Sequence, residues 1–327
     1  MALRFAILTA GNIASHMAGT IGQMRGEGIV PYAVAARDLA RAQAFAEKYG
    51  VEKAYGSYEE AFADPDADIV YVGSPHSHHY AQVKAALEHG KHVLCEKPLA
   101  PNAALAAELF GLAEEKGLLL TEATWTRYLP YVPALQACLR SGAIGAVRGM
   151  VCTFGSAVTH RERMLKPELA GGALLDLGIY PLTMAAIAFG QDVASLTGAC
   201  TKTDLGVDGQ IAVSLAFAGG QVASLLSSMY LPLANEAVIW GDEGRITVPE
   251  FWRGQGFTLT KADGESEEHP FPFDYTGYEY EVRSAARAIR EGKCECPELP
   301  HAESLRILRQ MDALRAQWGI RYPFETA

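Results

Sequence analysis

An α/β protein in two parts is what this chain predicts. A doubly wound parallel sheet is expected over residues 1–122, and an α+β domain with a mostly antiparallel sheet over 123–327. Three observations carry that expectation. The first 120 residues alternate short, continuously apolar strands with helical stretches, the pattern of a sheet covered on both faces. Beyond residue 123 the strand signals crowd together, separated by Gly-Gly or Asp-Glu-Gly turns that suit antiparallel neighbours. Finally, 327 residues exceed the length at which one core usually divides.

In order, Phe5-Ala6-Ile7-Leu8 reads as the first strand, with Gly11 and a helix to about Arg25 behind it. Val30 to Ala36 is the second strand, and Leu39 to Tyr49 repeats apolar residues at helical spacing. The turn Asp64-Pro65-Asp66 precedes the strand Ile69 to Val72, followed by a helix from Tyr80 to Glu88 that Gly90 ends. His92 to Cys95, the helix Ala103 to Glu115 and Leu118 to Leu120 complete the first part. In the second part, a helix from Val132 to Arg140 leads to a long strand, Val147 to Ala157. A glycine-flanked helix ends near Phe189, and strands follow at 195–203, 209–217, 221–231, 235–241 and 244–249. Residues 258–277 read as a polar, proline-bearing linker, and helices at 278–291 and 302–317 close the chain.

The balance of 49% hydrophobic and 20% charged residues is that of an ordinary globular protein. A net charge of −10 argues against nucleic acid or an anionic membrane as the main partner. No apolar run is expected to reach the ~20 residues of a membrane helix. The N-terminus lacks the pattern of a signal peptide, and the six dispersed cysteines read as free thiols of a cytoplasmic protein.

Six stretches are candidates for carrying chemistry. Thr9-Ala10-Gly11-Asn12-Ile13-Ala14 sits where a strand turns into a helix. Against G-x-G-x-x-G/A, Gly11 takes the position that lets backbone approach a pyrophosphate, and Thr9 replaces the first glycine. The second strand ends in Ala36-Arg37 in place of the acid that grips ribose hydroxyls, so Arg37 is a candidate clasp for a 2′-phosphate and NADP is favoured over NAD. Ser74, His76 and His79 follow a parallel strand and are expected to line a nicotinamide or substrate pocket; no metal is expected from the histidines. Glu96-Lys97-Pro98 puts an ammonium at the carboxyl end of a strand, where such sheets bind ligands. About 75 residues on, Gly171-Gly172 opens a helix bearing Asp176 and Tyr180, and the glycines are expected to let backbone approach a ligand. A phenol near an ammonium can work as an acid–base group. Trp125 and Arg127 stand after the last strand of the first part, where packing and ligand contact are equally open.

With these positions in hand, the chain resembles the glucose–fructose oxidoreductase/inositol dehydrogenase (Gfo/Idh/MocA) family over essentially its full length. The resemblance rests on Glu96-Lys97-Pro98, Thr9-Ala10-Gly11, Ala36-Arg37-Asp38, Glu122 to Arg127 and Gly172 to Tyr180. Tyr180 stands where many members have histidine, as in the branch of dimeric trans-dihydrodiol dehydrogenases and NADP-dependent sugar dehydrogenases. The resemblance implies a Rossmann domain followed by an open-faced sheet domain that pairs chains into dimers or tetramers. It also implies a cis Lys97–Pro98 bond. The cofactor would be held by Ala10, Gly11, Asn12, Ile13, Arg37, Ser74, His76, His79, Glu96, Lys97, Trp125 and Arg127. Catalysis would fall to Lys97, Asp176 and Tyr180, moving hydride between nicotinamide and a secondary hydroxyl of a small polyol, sugar, cyclitol or diol. An NAD-dependent glycosidase of the same superfamily and a nonenzymatic NADP-binding sensor are the competing readings.

Overall fold

The computed structural model describes residues 2–325. They form two compact units, the chain up to Ala123 together with Asp274–Leu305, and Thr124–Phe273 together with the residues from Arg306 on.

The first unit is built on six parallel strands: β1 (Leu3–Leu8), β2 (Ile29–Ala35), β3 (Lys53–Tyr55), β4 (Ile69–Val72), β5 (His92–Glu96) and β6 (Leu120–Ala123). Their order is β3-β2-β1-β4-β5-β6, so the winding reverses between β1 and β4. In open sheets of this kind ligands bind at that switch point, outside the carboxyl ends of the strands. The central strands are continuously apolar because both faces are covered; Phe5 to Leu8 and Ile69 to Val72 are fully buried. Helix starts are fixed by side chains: Asp38 accepts from the Ala40 and Arg41 N–H groups, Ser57 and Glu60 form a capping box, and Asn102 accepts from Leu105. β3 and the helix Tyr58–Ala63 carried no clear sequence signal, since three half-buried residues make too short a period to read. The helix expected from Tyr80 starts at His76, directly after Pro75, which puts His76 to His79 in its first turn and not in a loop.

The second unit holds an eight-stranded sheet: β7 (Val147–Gly155), β8 (Val193–Lys202), β9 (Asp208–Phe217), β10 (Val222–Ser228), β11 (Glu236–Gly241), β12 (Gly244–Pro249), β13 (Gly256–Lys261) and β14 (Ser266–Pro270). Its order is β14-β13-β12-β11-β7-β10-β9-β8, antiparallel throughout except for the parallel pair β7–β10. The expected linker at 258–277 is therefore corrected, because much of it is β13 and β14. β14, Ser-Glu-Glu-His-Pro, is an edge strand exposed along nearly all its length, so it needs no apolar alternation and shows none. One sheet face packs under the helix Ile179–Phe189, with Met150, Cys152, Phe154, Leu225 and Ile239 buried there. The opposite face presents Val151, Val222 and Trp240, which are 43%, 57% and 40% exposed.

The sequence expectation about apolar length also needs correction. The stretch Pro167–Phe189 is long and apolar enough for a membrane span, and 89% of its most apolar window is buried within the protein, as befits a core helix. All six cysteines are free, and among the described residues no cluster of three or more His, Cys, Asp or Glu side chains is arranged to hold a metal ion.

Candidate active site

In the first unit the site residues gather where β1, β4 and β5 end. The turn after β1 places Gly11 before the helix Asn12–Gln23, whose N-terminus has no side-chain cap. Its first N–H groups are thus left without a side-chain acceptor, a condition an anion site requires. Gly11 has ordinary backbone angles, with only Thr9 Oγ1 near a would-be Cβ, at 3.7 Å. The left-handed residue of the turn is Thr9, with φ of 74°, at the position where the fingerprint has glycine. A β-branched residue there is strained; Thr9 is held by its N–H to Ala35 O at 2.8 Å and its hydroxyl to Gly73 O at 3.4 Å. Gly73 itself answers for close packing, since a Cβ would meet Tyr71 at 3.1 Å and Ile13 at 3.2 Å.

The loop after β4 is bound to the loop after β5. Ser74 donates to Gln82 at 2.8 Å, while His79 faces Pro98 O at 2.8 Å through Nδ1 and Ser74 O at 2.9 Å through Nε2. Burial drives the His79 pKa down to about 3, with a smaller push from His76 and against the pull of the two carbonyls. His79 is fully buried with a carbonyl beside each ring nitrogen, only one of which its single N–H can serve, so it packs against the residue after Lys97 in place of the pocket wall expected for it. His76 lies edge-on to it, with ring centroids 5.8 Å apart. Glu96 accepts from the buried Tyr71 hydroxyl at 2.6 Å; burial, then Glu96, raises that phenol well above its ordinary pKa. Lys97 is 9% exposed and the Lys97–Pro98 bond is cis. Behind it, Glu122 accepts from Leu99 N–H at 2.8 Å and Ser304 Oγ at 2.7 Å, anchoring the loop.

At the end of β2, Ala36 is buried and Arg37 is exposed. Asp38 is occupied as a helix cap, which argues against its serving only as an ion-pair partner for Arg37. Burial raises the Tyr58 hydroxyl pKa while the charges of Arg37 and Arg41 pull it down, so both cations lie in the neighbourhood of that phenol. Arg41 was not singled out in the sequence, where it is one of several charges on an exposed helix face.

In the second unit, Asp176 lies in a wide helical turn, Leu174–Gly178, in which Ile179 N–H reaches back to Leu174 O. Turns of this i→i−5 kind recur at functional sites. Tyr180 follows in the helix Ile179–Phe189, its ring edge-on to Phe154 at 5.3 Å. Phe154 packs on Trp252 at 4.6 Å, and the Trp252 carbonyl accepts from Thr126 Oγ1 at 2.7 Å. That chain of contacts ties the short turn holding Trp125 and Arg127 to the shell around Tyr180. Asp176 receives Arg163 in a two-pronged ion pair, at 3.0 and 3.2 Å. Arg163 carried no sequence signal; it is one cation in the polar run His160-Arg161-Glu162-Arg163.

The Gly171-Gly172 pair proves to admit the chain itself, which corrects the expectation of a ligand approach. A Cβ on Gly171 would lie 2.6 Å from Met164 O and 2.7 Å from Arg163 O. On Gly172, at φ of 119°, it would lie 2.3 Å from Asp208 Oδ1. The glycines let the 163–164 backbone close down beside the turn and bring Arg163 onto Asp176.

Residues 3–124 match the Gfo/Idh/MocA oxidoreductase family with an NAD-binding Rossmann fold, and residues 132–247 match the Gfo/Idh/MocA C-terminal domain. Trans-1,2-dihydrobenzene-1,2-diol dehydrogenase from Bos taurus is 36% identical, and that from Homo sapiens 35%, each alignment spanning 99% of both chains. Among solved structures, a 3-ketoreductase from Actinomadura kijaniata in complex with NADP and TDP-benzene superposes with a TM-score of 0.88. It is 27% identical, over 97% of this chain and 98% of that one. The aldose-aldose oxidoreductase of Caulobacter crescentus, 24% identical over 98% of each chain, shares the fold with a TM-score of 0.86. With a doubly wound sheet, a dinucleotide turn at its switch point and full-length relatives, the chain belongs to the Gfo/Idh/MocA family of NAD(P)-dependent oxidoreductases.

Proposed function

We propose that this protein is an NADP-preferring dehydrogenase that oxidises a secondary hydroxyl of a small diol, sugar or cyclitol to the ketone. The observation that carries the reading is Lys97 at the end of β5, in a loop that His79 ties to the β4 loop beside the switch point. The uncapped N-terminus of the helix Asn12–Gln23, with Ala10 to Ile13, would hold the pyrophosphate, and Arg37 with Arg41 the 2′-phosphate. Bound nicotinamide supplies the hydride acceptor at C4. Tyr180 takes the hydroxyl proton as the carbinol carbon gives up its hydride. Lys97 stabilises the oxyanion that develops, and Asp176, held by Arg163, orients the phenol. The names of the full-length relatives favour a trans-dihydrodiol, and the ketoreductase structure supports NADP.

The test is a panel of diols, sugars and cyclitols followed at the NADPH absorbance. One NADPH per ketone formed is expected, with kcat/KM higher for NADP than for NAD. Turnover of a glycoside without net NADPH would support a glycosidase instead, and no turnover of any member with tight NADP binding a sensor.

The chain is further proposed to self-associate through the exposed face that carries Val151, Val222 and Trp240, since solvent-facing apolar side chains on one flat sheet favour a second copy. Light scattering should give a dimer or tetramer that Trp240→Glu dissociates; a wild-type monomer at micromolar concentration would refute this.

A further inference from the structure

We infer that Asp208 is the residue that positions the turn carrying Asp176 and Tyr180, and that it does so as a carboxylate. The inference rests on the catalytic reading of that turn. The helical run from Leu174 has no side-chain cap of its own, either at Ala173 or at Gly178. Asp208, the first residue of β9, supplies the missing acceptor from another element. It is fully buried, and its Oδ2 accepts from the Leu174 N–H at 2.5 Å. Gly172 is what makes room for it, since any Cβ there would collide with Oδ1 at 2.3 Å.

The groups facing Asp208 come from three directions. From β8, Lys202 pairs with it in register, and the Cys200 thiol is raised by burial and then by the Asp208 charge. From the helix His301–Trp318 comes Arg315, held by Asp312 and Glu325. From the C-terminal segment comes Tyr322, whose hydroxyl donates to Gly171 O at 2.9 Å, closing the same corner. Burial is the largest influence and pushes the Asp208 pKa up to about 7, against the Leu174 N–H and Arg315, which hold it down.

The carboxylate therefore forms across the neutral range. Above pH 7 it is a charged acceptor at a helix start, about twice as strong as the neutral acid that replaces it below. Stability runs the other way. The folded pKa lies above the unfolded value of about 3.9, so the contribution to stability is present below pH ~4 and is lost as the pH rises to 7. Grip on the turn is gained at the expense of the fold.

The experiment follows ketone reduction from pH 6 to 8 in wild type, Asp208→Asn and Gly172→Ala. In that direction Tyr180 must be protonated, so acid does not disable it. Wild-type kcat should fall about 3- to 10-fold from pH 8 to 6, while Asp208→Asn stays flat at the lower value with cofactor KM unchanged. Gly172→Ala, by displacing the carboxylate, should match it. Hydrogen exchange at the amides of 174–178 should show less protection in Asp208→Asn at pH 8, and its melting temperature should lose the wild-type dependence between pH 5 and 7. An Asp208→Asn enzyme that keeps the acid limb, whether at full or uniformly reduced activity, overturns the inference. A Tyr180→Phe control that keeps turnover would instead sink the catalytic reading, while hydrogen exchange would still decide whether Asp208 grips the turn.

Discussion

Replacing Glu281 by leucine should stabilise the first unit, by more at pH 7 than at pH 5. Glu281 lies in the first turn of the helix Glu279–Arg290, is fully buried, and has no hydrogen-bond partner for either carboxyl oxygen among the described residues. Burial raises its pKa well above the usual carboxyl range, and Glu96 and Glu279 raise it further. It is a buried, unsatisfied carboxyl, and such a group costs ~1–3 kcal/mol relative to an apolar residue of similar size. A second contribution depends on pH. The unfolded chain ionises Glu281 near pH ~4.3 and the folded chain only at higher pH, so wild type loses up to about 1.4 kcal/mol of stability for each pH unit above that value until the folded pKa is reached. Leucine has no such dependence, so the gap between variant and wild type widens as pH rises. Urea unfolding at pH 5, 6 and 7 measures it, with Glu281→Gln as a control that removes the pH dependence but keeps a buried polar group. A Glu281→Leu protein less stable than wild type at pH 7 would show that the carboxyl is satisfied in the fold and that this reasoning is wrong.

The remaining predictions concern the proposed chemistry. Tyr180→Phe should lower kcat by about 10²–10⁴-fold with cofactor affinity nearly intact, and Lys97→Ala at least as much. Their double mutant should be little worse than the poorer single if the two act as a unit, as kcat for all three variants will tell. Arg37→Ala should lower kcat/KM for NADP about tenfold or more and leave NAD unaffected; equal use of both cofactors by wild type would remove the basis for this. Arg163→Gln loses the two-pronged hold on Asp176. The Asp176 side chain is 9% exposed and Arg163 34%, so about 10-fold in kcat is expected, well short of a fully buried pair, with the melting temperature barely changed.

Much of the first unit was legible because its strands are buried on both faces, so apolar runs alone mark them, and because caps and glycines punctuate its helices. β3 and β14 were not, since both are short edge strands: β3 offers three half-buried residues, too few to show a period, and β14 faces water along nearly all its length. The return of Asp274–Leu305 to the first unit was equally hidden. It depends on partners far away in sequence, such as Arg283 on Glu27 at 2.8 Å, Ser304 on Glu122 at 2.7 Å and the stacking of His301 on Phe110 at 3.9 Å.

The site shows a sharper division. The residues proposed to do chemistry on a ligand were visible because their types are unusual where they stand, a lysine at a strand end or an aspartate and a tyrosine on an apolar helix. Arg163 and Asp208, which hold the Asp176 turn, were invisible, because they look like ordinary charges until their contacts are known, and the buried Glu281 was equally hidden. Thr9, Glu281 and Asp208 each break a local rule, by left-handed backbone on a β-branched residue or by a carboxyl buried and raised in pKa. Each also lies against a proposed functional element: Thr9 beside the dinucleotide turn, Glu281 facing Glu96, Asp208 gripping the turn of Asp176. Local inconsistency of this kind persists where geometry is worth more than stability. On that argument, substitutions that relieve these three positions should tend to raise the melting temperature and lower turnover together, whereas relief of strain elsewhere should raise the first without the second.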